Sequence, residues 1–198
     1  HFSPVHMEAF LVSTGVVALA EMGDKTQLLA FILAARFKKP LPIIAGILAA
    51  TLVNHGLAGA LGAWITSTLQ PGVLRWVLGV SFIAMAVWTL IPDKIEEEEG
   101  QVARRLGVFG ATAVSFFLAE MGDKTQIATV AMAAHYAHPL WVVAGTTCGM
   151  LIADVPAVFV GDRLAKRIPM RLVHGVAAAI FAVLGVATLL GAGASLGL

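Results

Sequence analysis

Long apolar stretches alternate with short charged ones along the chain. Segments free of Asp, Glu, Lys and Arg run over 9–20, 26–35, 40–74, 76–92, 106–119, 125–153 and 172–198. A membrane-crossing helix needs ~20 mainly apolar residues. The segment 40–74 exceeds one crossing, and Gln70-Pro71-Gly72 is a turn signal near its end. The pattern predicts six helices at about 9–35, 41–66, 73–91, 107–134, 140–162 and 172–193, the first and fourth each interrupted by one small charged cluster. Pro40, Pro71, Pro92, Pro139 and Pro169 fall near the joints, as expected of a residue that breaks helices.

Composition turns this pattern into a fold class. Hydrophobic residues make up 59% of the 198 positions and charged residues only 13%, against ~45–50% and ~25% in soluble domains. So much apolar surface cannot be hidden inside a soluble domain of this size. The expectation is an all-α integral membrane protein with one membrane domain, which excludes a disordered chain, a disulfide-rich module and a nucleic-acid binder. Cys148 is the only cysteine, so neither an internal disulfide nor a CxxC metal site is available. No basic segment followed by a cleavage site marks a removable signal peptide. Met7 reads as the natural start, with residues 1–6 an added leader outside the fold.

The net charge of +1 says little, but the placement of the basic residues fixes an orientation. Arg36, Lys38 and Lys39 follow the first helix, Lys94, Arg104 and Arg105 the third, and Arg163, Lys166, Arg167 and Arg171 the fifth. The opposite side has Arg75 alone, and Lys25 and Lys124 lie inside helices. Under the positive-inside rule the odd-numbered loops face the cytoplasm and both termini lie outside. The acidic run Glu96–Glu99 reads as a solvated linker between halves.

The string Glu21-Met22-Gly23-Asp24-Lys25-Thr26-Gln27 recurs as Glu120-Met121-Gly122-Asp123-Lys124-Thr125-Gln126, an offset of 99. The same offset matches Ala34 with Ala133, Pro40 with Pro139, Gly46 with Gly145, Phe82 with Phe181 and Thr89 with Thr188. Repeat one covers about 7–92, a cytoplasmic linker about 93–106 and repeat two about 107–198. Three helices per half is an odd number, so the halves must enter the membrane in opposite senses. Such inverted repeats are common in secondary transporters, which bind substrate near the midplane between them. The repeated clusters fall near the middle of helices one and four. There each charge costs at least ~2.5–3.5 kcal/mol, too much for decoration.

Glu21 and Asp24 are three apart and Gln27 three further, which on a helix makes one oxygen-bearing stripe. Glu120, Asp123 and Gln126 repeat it. If the stripes converge, they form a site for a hard divalent cation such as Mn²⁺ or Ca²⁺. Gly23 and Gly122 permit local unwinding, while Thr26 and Thr125 have hydroxyls for an ion or, preferably, for backbone carbonyls. Each motif carries −1, so the pair carries −2, which one divalent cation or two protons would balance. That suits exchange of metal for protons. The bland alternative pairs Lys25 with Glu21 and Lys124 with Glu120 and makes the clusters interhelical glue.

The two E-x-G-D-K-T copies resemble the family of small Golgi and bacterial-membrane cation transporters often called manganese exporters, which is marked by two E-x-G-D-[KR]-[TS] motifs. The resemblance covers essentially the whole chain from Met7. It implies six helices in an inverted repeat, Mn²⁺ export with Ca²⁺ and proton exchange in some members, and ion binding at Glu21, Asp24, Glu120 and Asp123. No resident cofactor is implied, since the metal is the substrate. A bacterial inner membrane is the expected location.

Other residues carry weaker messages. Met22 and Met121 could offer thioethers, but adjacency to Glu turns them away, and packing is the plainer role. Asp154, in helix five at a depth where an acid is costly and matched by offset to His55, reads as a proton relay, as a partner to a motif lysine, or as a charge satisfied by a neighbour. Asn54 suits interhelical hydrogen bonding. His135 and His138 lie near the outer surface. A metal-dependent intramembrane hydrolase is a competing reading, but HExxH and GxSxG are absent, as is a Walker A loop.

Overall fold

The computed structural model describes residues 4–91, 106–160 and 170–191. Glu96–Glu99 and the basic residues Lys94, Arg104, Arg105, Arg163, Lys166 and Arg167 lie outside the described residues. Those described form an all-helical fold: α1 (Pro4–Glu21), α2 (Lys25–Phe37), α3 (Pro40–Thr68), α4 (Pro71–Thr89), α5 (Gly107–Glu120), α6 (Lys124–Tyr136), α7 (Pro139–Val160) and α8 (Met170–Leu189). Pro40, Pro71 and Pro139 each open a helix, where the missing N–H has no partner to lose. Helix α1 begins at Pro4, so the end of the leader set aside on sequence grounds is helical.

The first and fourth expected helices are each two helices. α1 and α2 meet at a 69° bend, and α5 and α6 are parted at the equivalent place. α3, α4 and α7 are long and apolar enough to cross a membrane, and α1 with α2 makes a fourth such unit. Six crossings, the expectation from sequence, is two more than length and composition alone support among the described residues, because α5 and the His174–Leu189 stretch of α8 are shorter apolar helices.

The two halves exchange their packing partners. A Cβ at Gly46 of α3 would sit 2.7 Å from Thr112 Cβ and 2.9 Å from the Phe109 carbonyl oxygen of α5. At Gly145 of α7 the same construction meets Phe10 oxygen at 2.5 Å and Ser13 Cβ at 3.0 Å, on α1. The 99-residue offset maps one contact set onto the other with the halves swapped. Small residues let the backbones approach this closely, which is how helices gain packing where apolar surface alone gives no preference. Phe82 and Phe181, themselves offset mates, stack on each other with centroids 6.4 Å apart, joining α4 to α8. Buried Val16, Ile43, Ile47, Phe116, Met132 and Met150 fill the interior around the two helix breaks.

Candidate metal centre

Gly23 and Gly122 make the breaks. Each has φ +79°, a region closed to most side chains, and each ends the preceding helix. Asp24 and Asp123 then start α2 and α6 from extended backbone. Both breaks are held alike. The Asp24 N–H donates to the Glu21 carbonyl at 3.0 Å and the Asp123 N–H to that of Glu120 at 3.1 Å. The Gly23 N–H donates to Gln27 Oε1 at 2.9 Å and the Gly122 N–H to Gln126 Oε1 at 2.7 Å. The two glutamines, expected among the ion ligands, therefore direct their amide oxygens to the backbone of the break. Gln27 also donates from Nε2 to the Ala153 carbonyl at 2.8 Å, tying the break to α7.

The breaks bring three of their four carboxylates to one place, with Glu120 outside that group. Glu21, Asp24, Glu120 and Asp123 are all buried, and Glu21, Asp24 and Asp123 each offer an oxygen within 4.8 Å of the others. Thr26 Oγ1 donates to Glu21 Oε2, and Thr125 Oγ1 donates to Glu120 Oε2 at 2.9 Å. The threonines thus serve the glutamates rather than backbone carbonyls. Glu21 Oε1, Glu120 Oε1 and Asp123 Oδ2 are buried without a hydrogen-bond partner among the described residues. Buried carboxylate oxygens in that state are poised for a cation or a proton.

The lysines cross between halves. Lys124 Nζ lies 3.2 Å from Asp24 Oδ1, and Lys25 Nζ lies 3.8 Å from Asp123 Oδ1. The helix break removes the i,i+4 geometry that would have paired each lysine with its own glutamate. Asp154 is fully buried in α7, and neither of its carboxylate oxygens has a hydrogen-bond partner among the described residues. Its offset mate His55 is fully buried in α3, with Nε2 3.9 Å from Glu120 Oε2. Asn54 donates to the Phe117 carbonyl at 3.1 Å. Met121 is 56% exposed and stands outside the cluster. His174 of α8 bonds the Met22 carbonyl at 2.7 Å, a contact to the first break that no spacing in the sequence announces.

The family model "Divalent cation/proton antiporter GDT1" matches residues 9–97 and 108–195, one segment for each half. The chain belongs to the GDT1 family. It is therefore a membrane transporter that exchanges a divalent cation for protons, and not an enzyme. A Vibrio cholerae protein named "Putative manganese exporter" is 51% identical over 183 residues, 92% of this chain and 90% of that protein. The Arabidopsis thaliana GDT1-like proteins 3 and 5 are each 28% identical, covering 90% and 93% of this chain and 69% and 96% of their own lengths. No solved structure matches the chain.

Proposed function

We infer that this GDT1-family transporter exports Mn²⁺ from the cytoplasm in exchange for protons through one site shared by both halves. The observation that carries the reading is the meeting of Glu21, Asp24 and Asp123 oxygens within 4.8 Å, from two different halves, in a buried cluster. Glu21, Asp24, Glu120 and Asp123 are the proposed ligands. Lys25 and Lys124 are the resident counter-charges, Thr26 and Thr125 orient the glutamates, and Gly23 and Gly122 shape the breaks. Carboxylate oxygens suit Mn²⁺ and Ca²⁺ alike, and the resemblance of the whole chain to the Vibrio protein favours manganese. Release of metal leaves carboxylates that protons can occupy for the return step, with Asp154 relaying protons beside the cluster.

The proposed arrangement is six crossings in two inverted repeats, with α1 and α2 together forming one crossing and α5 and α6 another. The swapped contacts of Gly46 and Gly145 support it, since an offset that exchanges the halves is what a twofold-like relation produces. Discontinuous helices at the midplane are the usual device for binding ions there, and rocking of one repeat against the other gives alternating access. The basic-residue bias supports both termini outside a bacterial inner membrane. Proteoliposome flux tests the function. A proton gradient should drive Mn²⁺ uptake into vesicles with acidic lumen, Asp154→Asn should slow that driven flux, and indifference to the gradient would refute proton exchange. Ca²⁺ in place of Mn²⁺ reports the substrate.

A further inference from the structure

We propose that His55 is a nitrogen ligand to the transported ion and sets the preference for Mn²⁺ over Ca²⁺. The inference rests on the carboxylate cluster being the metal site. His55 is fully buried in α3, and neither ring nitrogen has a hydrogen-bond partner among the described residues. An imidazole with both nitrogens orphaned is costly unless something absent from the protein alone completes it. Its Nε2 stands 3.9 Å from Glu120 Oε2, beyond hydrogen-bond reach. Yet two donors on one ion, each ~2.0–2.6 Å from it, are separated by roughly 3–5 Å. The gap fits two atoms sharing one cation, on the Glu120 side of the three oxygens of Glu21, Asp24 and Asp123.

Position breaks the symmetry of the site. The offset that duplicates every motif carboxylate replaces His55 by Asp154, so a ring nitrogen is available at this position from the first half alone. Ca²⁺ binds through oxygen alone, whereas first-row transition ions accept imidazole readily. One neutral imidazole among carboxylates therefore discriminates between two divalent cations that oxygen ligands treat alike. A symmetric site, with aspartate at both positions, would lose that discrimination.

The test uses the purified full chain in lipid nanodiscs loaded with Mn²⁺. Pulsed electron paramagnetic resonance of bound Mn²⁺ should show nitrogen modulation from a directly bound imidazole, and His55→Gln should abolish it. In competition assays, His55→Gln and His55→Asp should each lower the Mn²⁺-to-Ca²⁺ affinity ratio by about tenfold or more, the scale on which metal sites respond to losing a partner. Wild-type Mn²⁺ without nitrogen modulation, or an unchanged affinity ratio in both variants, overturns the assignment. Glu21→Gln separates the two readings. If it binds Mn²⁺ as the wild type does, the carboxylate site itself fails. If it loses Mn²⁺ while the wild type shows no nitrogen signal, only the role of His55 falls.

Discussion

Glu21 and Glu120 each end a helix with one carboxylate oxygen held by a threonine and the other without a hydrogen-bond partner among the described residues. Exchanging either for Gln keeps the shape and the threonine contact but removes the charge. Glu21→Gln and Glu120→Gln should each cut metal transport by ~10–100-fold or more, with membrane-inserted protein remaining at wild-type amounts by immunoblot. Transport at wild-type rate in both variants would exclude a shared carboxylate site. The lysines make a sharper comparison, because Lys124 is 1% exposed and Lys25 23%. Removing one partner of a buried pair costs about 3–5 kcal/mol, while a partly solvated pair is worth ~1 kcal/mol or less. Lys124→Ala should therefore lower the melting temperature in detergent clearly and Lys25→Ala barely, although the sequence treats the two as equals.

At the scale of elements, the breaks and the close helix contacts rest on glycine for different reasons. A Cβ on Gly122 meets nothing within 4 Å, so Gly122→Ala is penalised only by φ +79°, about 1–2 kcal/mol. Gly122→Asn, which tolerates that region, should recover part of the loss. Gly145→Ala would drive a methyl to 2.5 Å from the Phe10 carbonyl and force α1 from α7. It should destabilise by about 1–3 kcal/mol as an overpacked contact, and differential scanning fluorimetry of the three variants checks the order. Much of this layer was legible beforehand. The prolines marked helix starts, the 99-residue offset marked the halves, and Gly23 and Gly122 marked where helices could unwind. The bend was not legible, since apolar residues continue on both sides of each motif and hydropathy reports no direction. Spacing on an unbroken helix also misled, because it stacked Gln27 on Asp24 and Lys25 on Glu21. Once the chain turns at Gly23, the glutamine reaches back to the turn and the lysine reaches the other half.

For the whole molecule, the proposed site makes metal and protons compete for the same carboxylates, so binding should release protons and weaken as pH falls. Each proton displaced makes the apparent affinity drop by up to ~10-fold per pH unit. Calorimetry of Mn²⁺ binding in buffers of different ionisation enthalpy should give buffer-dependent heats, and identical heats in all buffers would argue for coupling to another ion. The all-helical class followed from composition, whereas the electrostatic wiring between the two motif copies required coordinates. That wiring has a consequence. Lys124 faces Asp24 and Lys25 faces Asp123, so the protein is clasped twice across the same seam, and each clasp joins a hook from one half to an eye on the other. Any movement that parts the seam must undo both clasps together.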